Sequence, residues 1–383
     1  MSKCDKVKLS ELIIQKTDIE QIVDMENEHY ITLSLYGKGA RERVIKDGKY
    51  PVPFTGYRVS EGQFIYSRID ARNGAYAIIG PELDGFVVSK DFPVFDINES
   101  KVLPHFLRRA VLSDAFINQV KNSSFGATNR MRIKEDIFAD YSIPLPELSK
   151  QKEIVDILDR VETIINSRQQ ELQKLDDLIK ARFVEMFGDP RSNPFEFDQR
   201  RLKDTCKVIT GNTPSRAVSE YYGDVIEWIK TDNIVSGLIN PTKATEFLSE
   251  KGMKVGRIVE SDAILMACIA GSISSIGKVC IANRKVAFNQ QINAIIPESY
   301  DIVFLYILFQ MSKEYLVEDV NMALKGILSK SKLEEKEFIV PPMDFQKEFA
   351  DFVKKVNKSK LLEARQAGFI AKYRPINIIL SIG

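Results

Sequence analysis

The feature that most constrains this sequence is a short segment that occurs twice. PELSKQKEI at residues 146–154 returns as PPMDFQKEF at residues 341–349, 195 positions later. A second pair, Val59–Tyr66 and Val259–Met266, shares one hydrophobic pattern at an offset of 200. Both offsets are close to half of the 383 residues, and a chain of this length is sufficient for two domains. The sequence therefore predicts a globular domain and a helix, followed by a second copy of each.

The helix after the first domain has the clearest periodicity. Between residues 151 and 187, apolar side chains recur at alternating steps of four and three, with Arg168 at the one missing place, which indicates a heptad seam. A proline-rich turn with Ser149 as N-cap precedes the helix, and Gly188-Asp189-Pro190 ends it after roughly 55 Å. The seam consists of Ile154, Leu158, Val161, Ile165, Leu172, Leu175 and Ile179.

An amphipathic helix of this kind needs a partner, and the second copy supplies one. Phe349, Val353 and Val356 occupy the equivalent places, so we expect the two long helices to pair as an antiparallel coiled coil. Beyond Val356 the pattern fails, because Lys360 falls on the seam and Pro375 blocks continuation. The sequence therefore predicts a short second helix that leaves much of the first seam without an apolar partner.

The globular segments have mixed patterns, and the predicted fold class is α/β, of mixed α+β type. Helical patterns cover about 103–120 and 301–318. Short apolar runs bounded by Gly, Pro, Asn and Asp predict strands at Phe64–Tyr66, Ala75–Ile79, Ile226–Ile229, Ile264–Met266 and Val286–Phe288. The predicted domains are two similar globular domains, 1–143 and 191–341, with a central helical region, 144–190, and a C-terminal helical region, 342–383.

Composition excludes several classes of protein. The longest apolar run, Ala263–Ala270, has eight residues, whereas a membrane-spanning helix needs about 20. Four cysteines without a pairing pattern, and no signal-peptide pattern, favour a reducing cytoplasm. Neither His29 nor His105 stands near a cysteine in metal-ligand spacing, so we expect no metal site and no catalytic residue. Gly271–Lys278 is similar to a phosphate loop but has five residues between its glycines instead of four.

The net charge is +1, so a DNA-binding face would be a local patch on a neutral body. Polar loops with basic groups supply such patches, since Asn and Gln can bind adenine edges, Arg and Lys can bind guanine edges, and hydroxyls hold phosphates. Ordinary solvated turns have the same composition, and that alternative stays open. The predicted DNA-binding residues are Lys38, Arg41, Arg68, Arg72, Asn73, Arg130, Thr213, Ser215, Arg216, Lys230, Thr231, Asn233, Lys278, Asn289 and Lys325.

Several longer segments carry a family resemblance. PLPELSKQKEIVDILDRVETI, LDDLIKARFVEMFGDP and SNPFEF resemble the central region of the specificity subunit of type I restriction-modification systems. RLKDTCKVITGNTPS, GSISSIGK and AFNQQINAI resemble the opening of a target recognition domain of that family. The resemblance covers essentially residues 1–365. It implies two target recognition domains that each bind one half of a split DNA site, with paired helices as a spacer.

The same resemblance implies the partners of the chain. These would be double-stranded DNA, two methyltransferase (modification) subunits, and restriction subunits. Adenine methylation and cleavage, with S-adenosylmethionine, ATP and Mg²⁺, would belong to those subunits, so we expect no cofactor in this chain. The alternative is a truncated or silent variant that acts only as a helical protein-interaction scaffold, which the loss of the seam after Val356 motivates.

Overall fold

The computed structural model describes residues 5–122, 132–320 and 326–372. Its contacts divide the chain into two units. Of the described residues, those up to 169 and residues 365–372 form the first unit, and those between 170 and 364 form the second. The finer division into two domains and two helical regions stays a prediction.

The first unit has mixed α and β structure. Its strands are β1 (Lys6–Lys8), β2 (Ile13–Gln15), β3 (Glu20–Ile22), β4 (Ile31–Leu33), β5 (Ala40–Glu42), β6 (Phe54–Arg58), β7 (Phe64–Tyr66), β8 (Tyr76–Ile78), β9 (Val87–Ser89), β10 (Val94–Ile97) and β11 (Ser142–Pro144). Its helices are α1 (Pro104–Val111), α2 (Asp114–Asn122), α3 (Glu135–Ala139) and the start of the long helix α4 (Leu148–Phe187).

The second unit repeats this composition. Its strands are β12 (Gln199–Arg201), β13 (Cys206–Thr210), β14 (Tyr222–Gly223), β15 (Ile226–Ile229), β16 (Phe247–Leu248), β17 (Ile258–Val259), β18 (Ala263–Ala267), β19 (Ile269–Ala270), β20 (Val279–Ala282), β21 (Val286–Phe288), β22 (Ile292–Pro297), β23 (Gly326–Ile327) and β24 (Glu337–Ile339). Its helices are the end of α4, α5 (Glu250–Val255), α6 (Ile302–Met311), α7 (Lys313–Val317), α8 (Lys330–Glu335) and, up to residue 364, α9 (Met343–Lys372).

The two units contain antiparallel sheets with the same strand order. The first is ordered β2-β10-β7-β8 and the second β13-β22-β18-β20. Ile65 pairs with Val94 in the first sheet, and Leu265 pairs with Ala294 in the second. Both partners are displaced by 200 residues, the offset that the hydrophobic pattern indicates. The repeat in the sequence is therefore a repeat of topology.

The central strand of each sheet is buried on both faces, which explains its uninterrupted apolar run. In β18, Ile264 and Met266 belong to one hydrophobic cluster, whereas Leu265 belongs to another on the opposite face. In β7, Phe64 and Ile65 are divided between two clusters in the same way. The sheet is thus the middle layer of each unit, and it fixes the positions of the loops at its ends.

The structure breaks both of the helices predicted at 103–120 and 301–318. The first becomes α1 and α2, and the second becomes α6 and α7. At the first break, the hydroxyl of Ser113 accepts a hydrogen bond from Phe116 N at 3.2 Å. The serine thus caps a new helix instead of continuing the old one, which periodicity alone does not reveal. The second break falls at Ser312, which is also buried.

Helix α4 has 40 residues, a length of about 60 Å. It ends at Phe187, as predicted, and Gly188 adopts a left-handed φ of 71°. It begins three residues earlier than predicted, at Leu148, so Ser149 is not its N-cap. The carbonyl of Glu147 instead accepts hydrogen bonds from Lys150 N and Gln151 N, both at 3.0 Å.

The prediction of a short C-terminal helix is wrong. Helix α9 runs for 30 residues and passes Val356 and Lys360 without a break. Lys360 keeps its place on the seam because its ammonium forms an ion pair with Asp176 of α4. A charge pair between helices thus replaces the missing apolar contact. Pro375 lies outside the described residues.

Within the second unit, α4 and α9 run antiparallel. Asp176 pairs with Lys360, and Arg182 pairs with Glu348 at 3.0 Å, so residue numbers rise along one helix as they fall along the other. Phe183 contacts the ring of Phe349 at a centroid distance of 5.5 Å. Phe187, at the end of α4, lies at the same distance from Phe349. Neither Phe183 nor Phe187 belongs to the predicted seam, although both are fully buried.

The predicted seam is shared between two cores. Ile154 and Leu158 belong to the core of the first unit, whereas Leu175 and Ile179 belong to that of the second. The three residues between them, Val161, Ile165 and Leu172, are half-buried. Phe349, Val353 and Val356 of α9 lie in the second core with Ile179.

A buried glutamine joins each long helix to its own unit. Gln151 accepts a hydrogen bond from Leu103 N at 2.9 Å and donates to the carbonyls of Lys101 and Pro146. This amide therefore fixes the residue before α1 against the first turn of α4.

Gln346 repeats the arrangement 195 residues later. It accepts a hydrogen bond from Asp301 N, just before α6, and donates to the carbonyls of Ser299 and Pro341. Gln151 and Gln346 are 0% and 1% exposed, so we call this pair the glutamine clamps. The QKE sequence common to both repeats thus has a structural role in each unit.

Candidate DNA interface

In the second unit, most of the predicted DNA-binding residues lie in loops at one end of the sheets. Strands β13 and β18 end where β22 begins, and the parallel strands β15 and β21 end side by side. Backbone hydrogen bonds join the loops that follow, including Asn212 N to Phe288 O and Asn289 N to Ile229 O. The loops brought together are 211–216, 230–233, 268–278 and 289–291.

The 211–216 loop is held tightly against the domain. A side chain at Gly211 would place its Cβ 2.1 Å from the carbonyl oxygen of Asn289, so only glycine permits this approach. The hydroxyl of Tyr222 donates to the carbonyl of Pro214 at 2.7 Å. Trp228 Nε1 donates to another carbonyl of the same loop at 3.3 Å. These contacts fix the backbone position of the residue that ends the loop, Arg216.

That residue, Arg216, forms a compact charged group with Lys230 and Glu246. Arg216 pairs with Glu246 at 2.6 Å, and Lys230 pairs with the other oxygen of the same carboxylate. The guanidinium lies 4.3 Å above the centre of the Tyr222 ring, and Lys230 Nζ lies 5.2 Å from that of Trp228. Hydrogen bonds from Lys230 and then Arg216 hold the pKa of Glu246 below its usual value. We call these three residues the Glu246 triad.

The hydroxyl residues of the predicted site lie close to this triad in the chain and remain reachable from solvent. Thr213 and Ser215 are exposed, and Thr231 is half-buried. The hydroxyl of Thr213 donates to the side-chain oxygen of Gln290, which connects the 211–216 loop with the 289–291 loop. The hydroxyls of Ser215 and Thr231 can therefore donate to phosphate oxygens at the surface of the domain, and that of Thr213 could do so only by releasing Gln290.

The two asparagines are buried, whereas residues that contact bases are expected to lie at the surface. Asn233 is buried, accepts a hydrogen bond from Lys230 N at 2.9 Å and donates to Thr242 Oγ1 at 3.1 Å. Asn289 is buried, and its oxygen accepts a hydrogen bond from Gln291 N at 3.1 Å. Their side-chain amides form hydrogen bonds within the domain, so both asparagines stabilise the loops.

Lys278 lies in a separate basic group together with Lys313. Lys313 is not among the predicted DNA-binding residues. Lys313 Nζ lies 3.4 Å from the carbonyl of Ser274 and crosses over Gly277, which has no side chain to obstruct it. Burial, followed by repulsion from Lys278, lowers the pKa of Lys313 to about 8. Two cations held together in this way favour an anion between them. Lys325 lies outside the described residues.

The first unit also brings its predicted loops together. The β4–β5 hairpin, which carries the exposed Lys38 and Arg41, contacts the loop between β7 and β8. There, Tyr36 N donates to the carbonyl of Asn73 at 2.8 Å. Arg68 is mostly buried and paired with Glu135, so its charge is already neutralised.

The other two predicted residues of the β7–β8 loop, Arg72 and Asn73, are half-buried. The amide of Asn73 also donates to Asp70 Oδ1 at 3.2 Å. Arg130 lies outside the described residues.

Histidine, cysteine and carboxylate side chains are the groups that could bind a metal ion or act as nucleophiles. Within residues 5–122, 132–320 and 326–372, no group of three His, Cys, Asp or Glu side chains could hold a metal ion. Burial raises the pKa of the Cys206, Cys268 and Cys280 thiols to about 12, which makes them poor nucleophiles. His29 is exposed and bonded to Glu42 at 2.8 Å. None of the helices in the described part of the chain has the length and hydrophobicity to cross a bilayer.

Comparisons with known proteins identify the family of the chain. The family model of the type I restriction modification DNA specificity domain matches residues 7–176 and again residues 194–367. The type I restriction enzyme HindI specificity subunit of Haemophilus influenzae is 23% identical over 325 residues, which cover 65% of this chain and 69% of that subunit.

Two solved structures share the fold. One is a chain from a study of complex assembly and conformational transition in the type I R-M system, with a TM-score of 0.59 and 18% identity, covering 98% of this chain and 96% of its own length. The other is the type I restriction-modification S subunit of M. genitalium, with a TM-score of 0.55 and 13% identity, covering 98% and 95%.

Two family matches on one chain, each covering a sheet-centred unit and part of a long helix, define a DNA specificity protein of the restriction-modification class. The chain belongs to the type I restriction-modification DNA specificity family. It is a type I specificity subunit, itself non-catalytic and without a cofactor of its own.

Proposed function

We propose that this chain recognises a bipartite DNA sequence, with one globular domain for each half, and directs the enzymes of its complex to that sequence. The observation that supports the proposal most strongly is the repeat itself, because the chain carries two family matches and two sheets of one topology. The loops at the sheet end of the second unit carry Arg216, Lys230 and Lys278, which are suited to contacts with phosphates and guanine edges.

The partners in this proposal are two methyltransferase subunits and the restriction subunits. Adenine methylation and cleavage take place on those subunits, which bind S-adenosylmethionine, ATP and Mg²⁺. The seam residues of α4 that stay half-buried, Val161, Ile165 and Leu172, are a candidate surface for a methyltransferase subunit. The complex acts in the cytoplasm, where a bacterial or archaeal chromosome lies.

The alternative, a truncated or silent variant that serves only as a scaffold, loses its main support. Its motive is the loss of the apolar seam beyond Val356, yet α9 continues to Lys372 and the second family match extends to residue 367. The alternative stays testable, because a scaffold would bind its methyltransferase subunit without directing methylation.

The deciding experiment is a methylome. The chain is expressed with the methyltransferase subunit of its own system in a host without adenine methylation, and methylated adenines are mapped across the genome. We expect one bipartite sequence. Replacing residues 191–341 with the corresponding domain of a relative should change one half of that sequence, and replacing residues 1–143 should change the other. A complex that co-purifies intact but methylates nothing would favour the scaffold, and a swap that changes both halves would contradict one domain for each half.

A further inference from the structure

We propose that Glu246 limits how tightly the second domain binds DNA of any sequence, by neutralising Arg216 and Lys230 until DNA displaces it. The inference rests on the proposed DNA-binding function of this surface. Glu246 belongs to no sequence motif, and only the fold brings it to the two predicted DNA contacts.

The geometry of the triad supports this role. One carboxylate serves both cations, with one oxygen for Arg216 and the other for Lys230. Its position is also fixed, because the backbone carbonyl of Glu246 accepts a hydrogen bond from Trp228 N at 3.0 Å. The backbone that carries the carboxylate is therefore held beside the two cations.

The cations, in contrast, can leave the carboxylate without losing their support. Arg216 is 56% exposed and lies over the ring of Tyr222, while Lys230 lies beside Trp228. Aromatic faces attract cations, so both side chains keep a favourable contact when the ion pair opens. The guanidinium of Arg216 is the exposed member of the triad, and an ion pair open to solvent is weak, so a phosphate or a guanine edge in the correct place can compete with Glu246 for it.

The consequence concerns non-specific binding. Two free cations would attract the phosphates of any sequence, and this attraction supplies most non-specific binding. The carboxylate opposes this attraction, because any DNA must displace Glu246 before it can pair with Arg216 and Lys230. The base contacts of the target compensate for this cost, whereas non-target DNA has no such contacts. Glu246 thus lowers the affinity of the domain for all DNA and keeps non-target complexes weak.

The test uses the full chain assembled with its methyltransferase subunit and the variant Glu246→Gln, which keeps the size of the side chain and removes its charge. Binding to a random-sequence duplex is measured over a range of salt concentrations. We expect roughly three- to tenfold tighter binding and a log–log salt slope steeper by up to about 1.8, since each new phosphate contact adds about 0.9. Binding to the target duplex should tighten by a similar factor, because the target must displace the same carboxylate.

A matched control is available in the same domain. Glu260 pairs with Lys285 at 2.7 Å and follows β17, at the opposite end of the sheet from the candidate loops. Glu260→Gln makes the same charge change and should leave binding to the random duplex unchanged. If Glu246→Gln binds no more tightly than Glu260→Gln, the inference is wrong. Glu246→Ser provides the same comparison if the glutamine variant does not fold.

A combined variant separates this inference from the proposed function. Adding Arg216→Ala and Lys230→Ala to Glu246→Gln should abolish the gain, and a gain that persists would contradict the role of the triad. The two alanines alone test the DNA surface. If they leave target binding unchanged, the assignment of this surface to DNA fails. If they weaken it while Glu246→Gln has no effect, only the inference about Glu246 fails.

Discussion

At the scale of single residues, the glutamine clamps show how one buried amide can position a long helix. Replacing Gln151 with Leu would leave the amide N–H of Leu103 without an acceptor and the carbonyls of Lys101 and Pro146 without a donor. A buried polar group without a partner costs about 1–3 kcal/mol. We therefore expect Gln151→Leu, and likewise Gln346→Leu, to lower the free energy of unfolding by about 3 kcal/mol.

Urea unfolding followed by circular dichroism measures this effect. Lys152→Ala is the control for Gln151→Leu, because Lys152 is exposed and follows Gln151 directly in the first turns of α4. A loss of stability in the glutamine variant no larger than that in the control would show that the clamp does not hold the helix.

Lys313 provides a prediction about pH. Its pKa in the folded protein is lowered to about 8, mainly by burial and then by Lys278, from a usual value of 10.5. Below pH 8 the folded protein must keep this half-buried cation charged, which destabilises it relative to the unfolded chain. The penalty declines as the pH rises from 8 to 10.5, because the folded protein loses the proton first.

The variant Lys313→Met should therefore be more stable than the wild type at pH 7, and its advantage should shrink between pH 8 and pH 10.5. Thermal unfolding at several pH values measures the difference. Lys207→Met, at an exposed position of β13, is the control and should give a difference that does not depend on pH. An advantage of Lys313→Met that stays constant over this range would contradict the lowered pKa.

Some members of the candidate site could be predicted from the sequence and others could not, for a physical reason. Arg216 and Lys230 could be predicted, because each lies in a polar loop with small neighbours. Glu246 could not, since its importance comes from a contact across 30 residues with one cation and across 16 with the other. The role of Asn233 could not be predicted either, because the sequence does not distinguish an asparagine that stabilises a loop from one that contacts a base.

At the scale of elements, the register of α4 and α9 depends on contacts that can be exchanged. Lys360 is 17% exposed and pairs with Asp176, so each single reversal, Asp176→Lys or Lys360→Asp, places like charges together. We expect each single variant to lose about 1 kcal/mol of stability and the double reversal to regain most of it. Urea unfolding of the four proteins gives the coupling energy.

The control for this cycle lies on α9 alone. Asp351 and Lys354 pair at 3.1 Å within the helix, and both side chains are exposed. Their reversal should change stability little and should show no coupling to Asp176. If Asp176 and Lys360 couple no more strongly than Asp176 and Lys354, the antiparallel register is not held by this pair.

The elements also show where periodicity succeeds and where it fails. The end of α4 could be predicted because Gly188 and Pro190 are local signals, and β7, β15 and β21 have the predicted limits. The length of α9 could not be predicted, because a lysine on a seam looks like an interruption until its partner on another helix is known. Tertiary contacts compensate there for a local pattern that ends too early.

At the scale of the whole molecule, the repeat links fold to function. Each unit uses one sheet order, one glutamine clamp and a long helix, so a loop can change without changing the frame that presents it. In the proposed function, the sheet-end loops determine the half-sites and the helices determine the number of base pairs between them. The two properties should therefore respond to different mutations.

A helical insertion tests this separation. Four residues inserted after Arg168 lengthen α4 by about 6 Å, comparable to two base pairs of 3.4 Å each. The insertion precedes Asp176, Arg182 and Phe183, so the contacts of these residues with α9 can remain. The four inserted residues also lie outside every loop at the ends of the sheets. We therefore expect a methylome with both half-sites unaltered and a gap longer by one or two base pairs.

The same four residues inserted after Gly48, in an exposed turn of the first unit, provide the control, because they lengthen the chain without lengthening α4. That variant should keep the original gap. An active complex with the insertion in α4 and an unchanged gap would show that this helix does not set the spacing. Altered half-sites with an unchanged gap would go further, because they would mean that α4 positions the loops on the bases instead of measuring the distance between them.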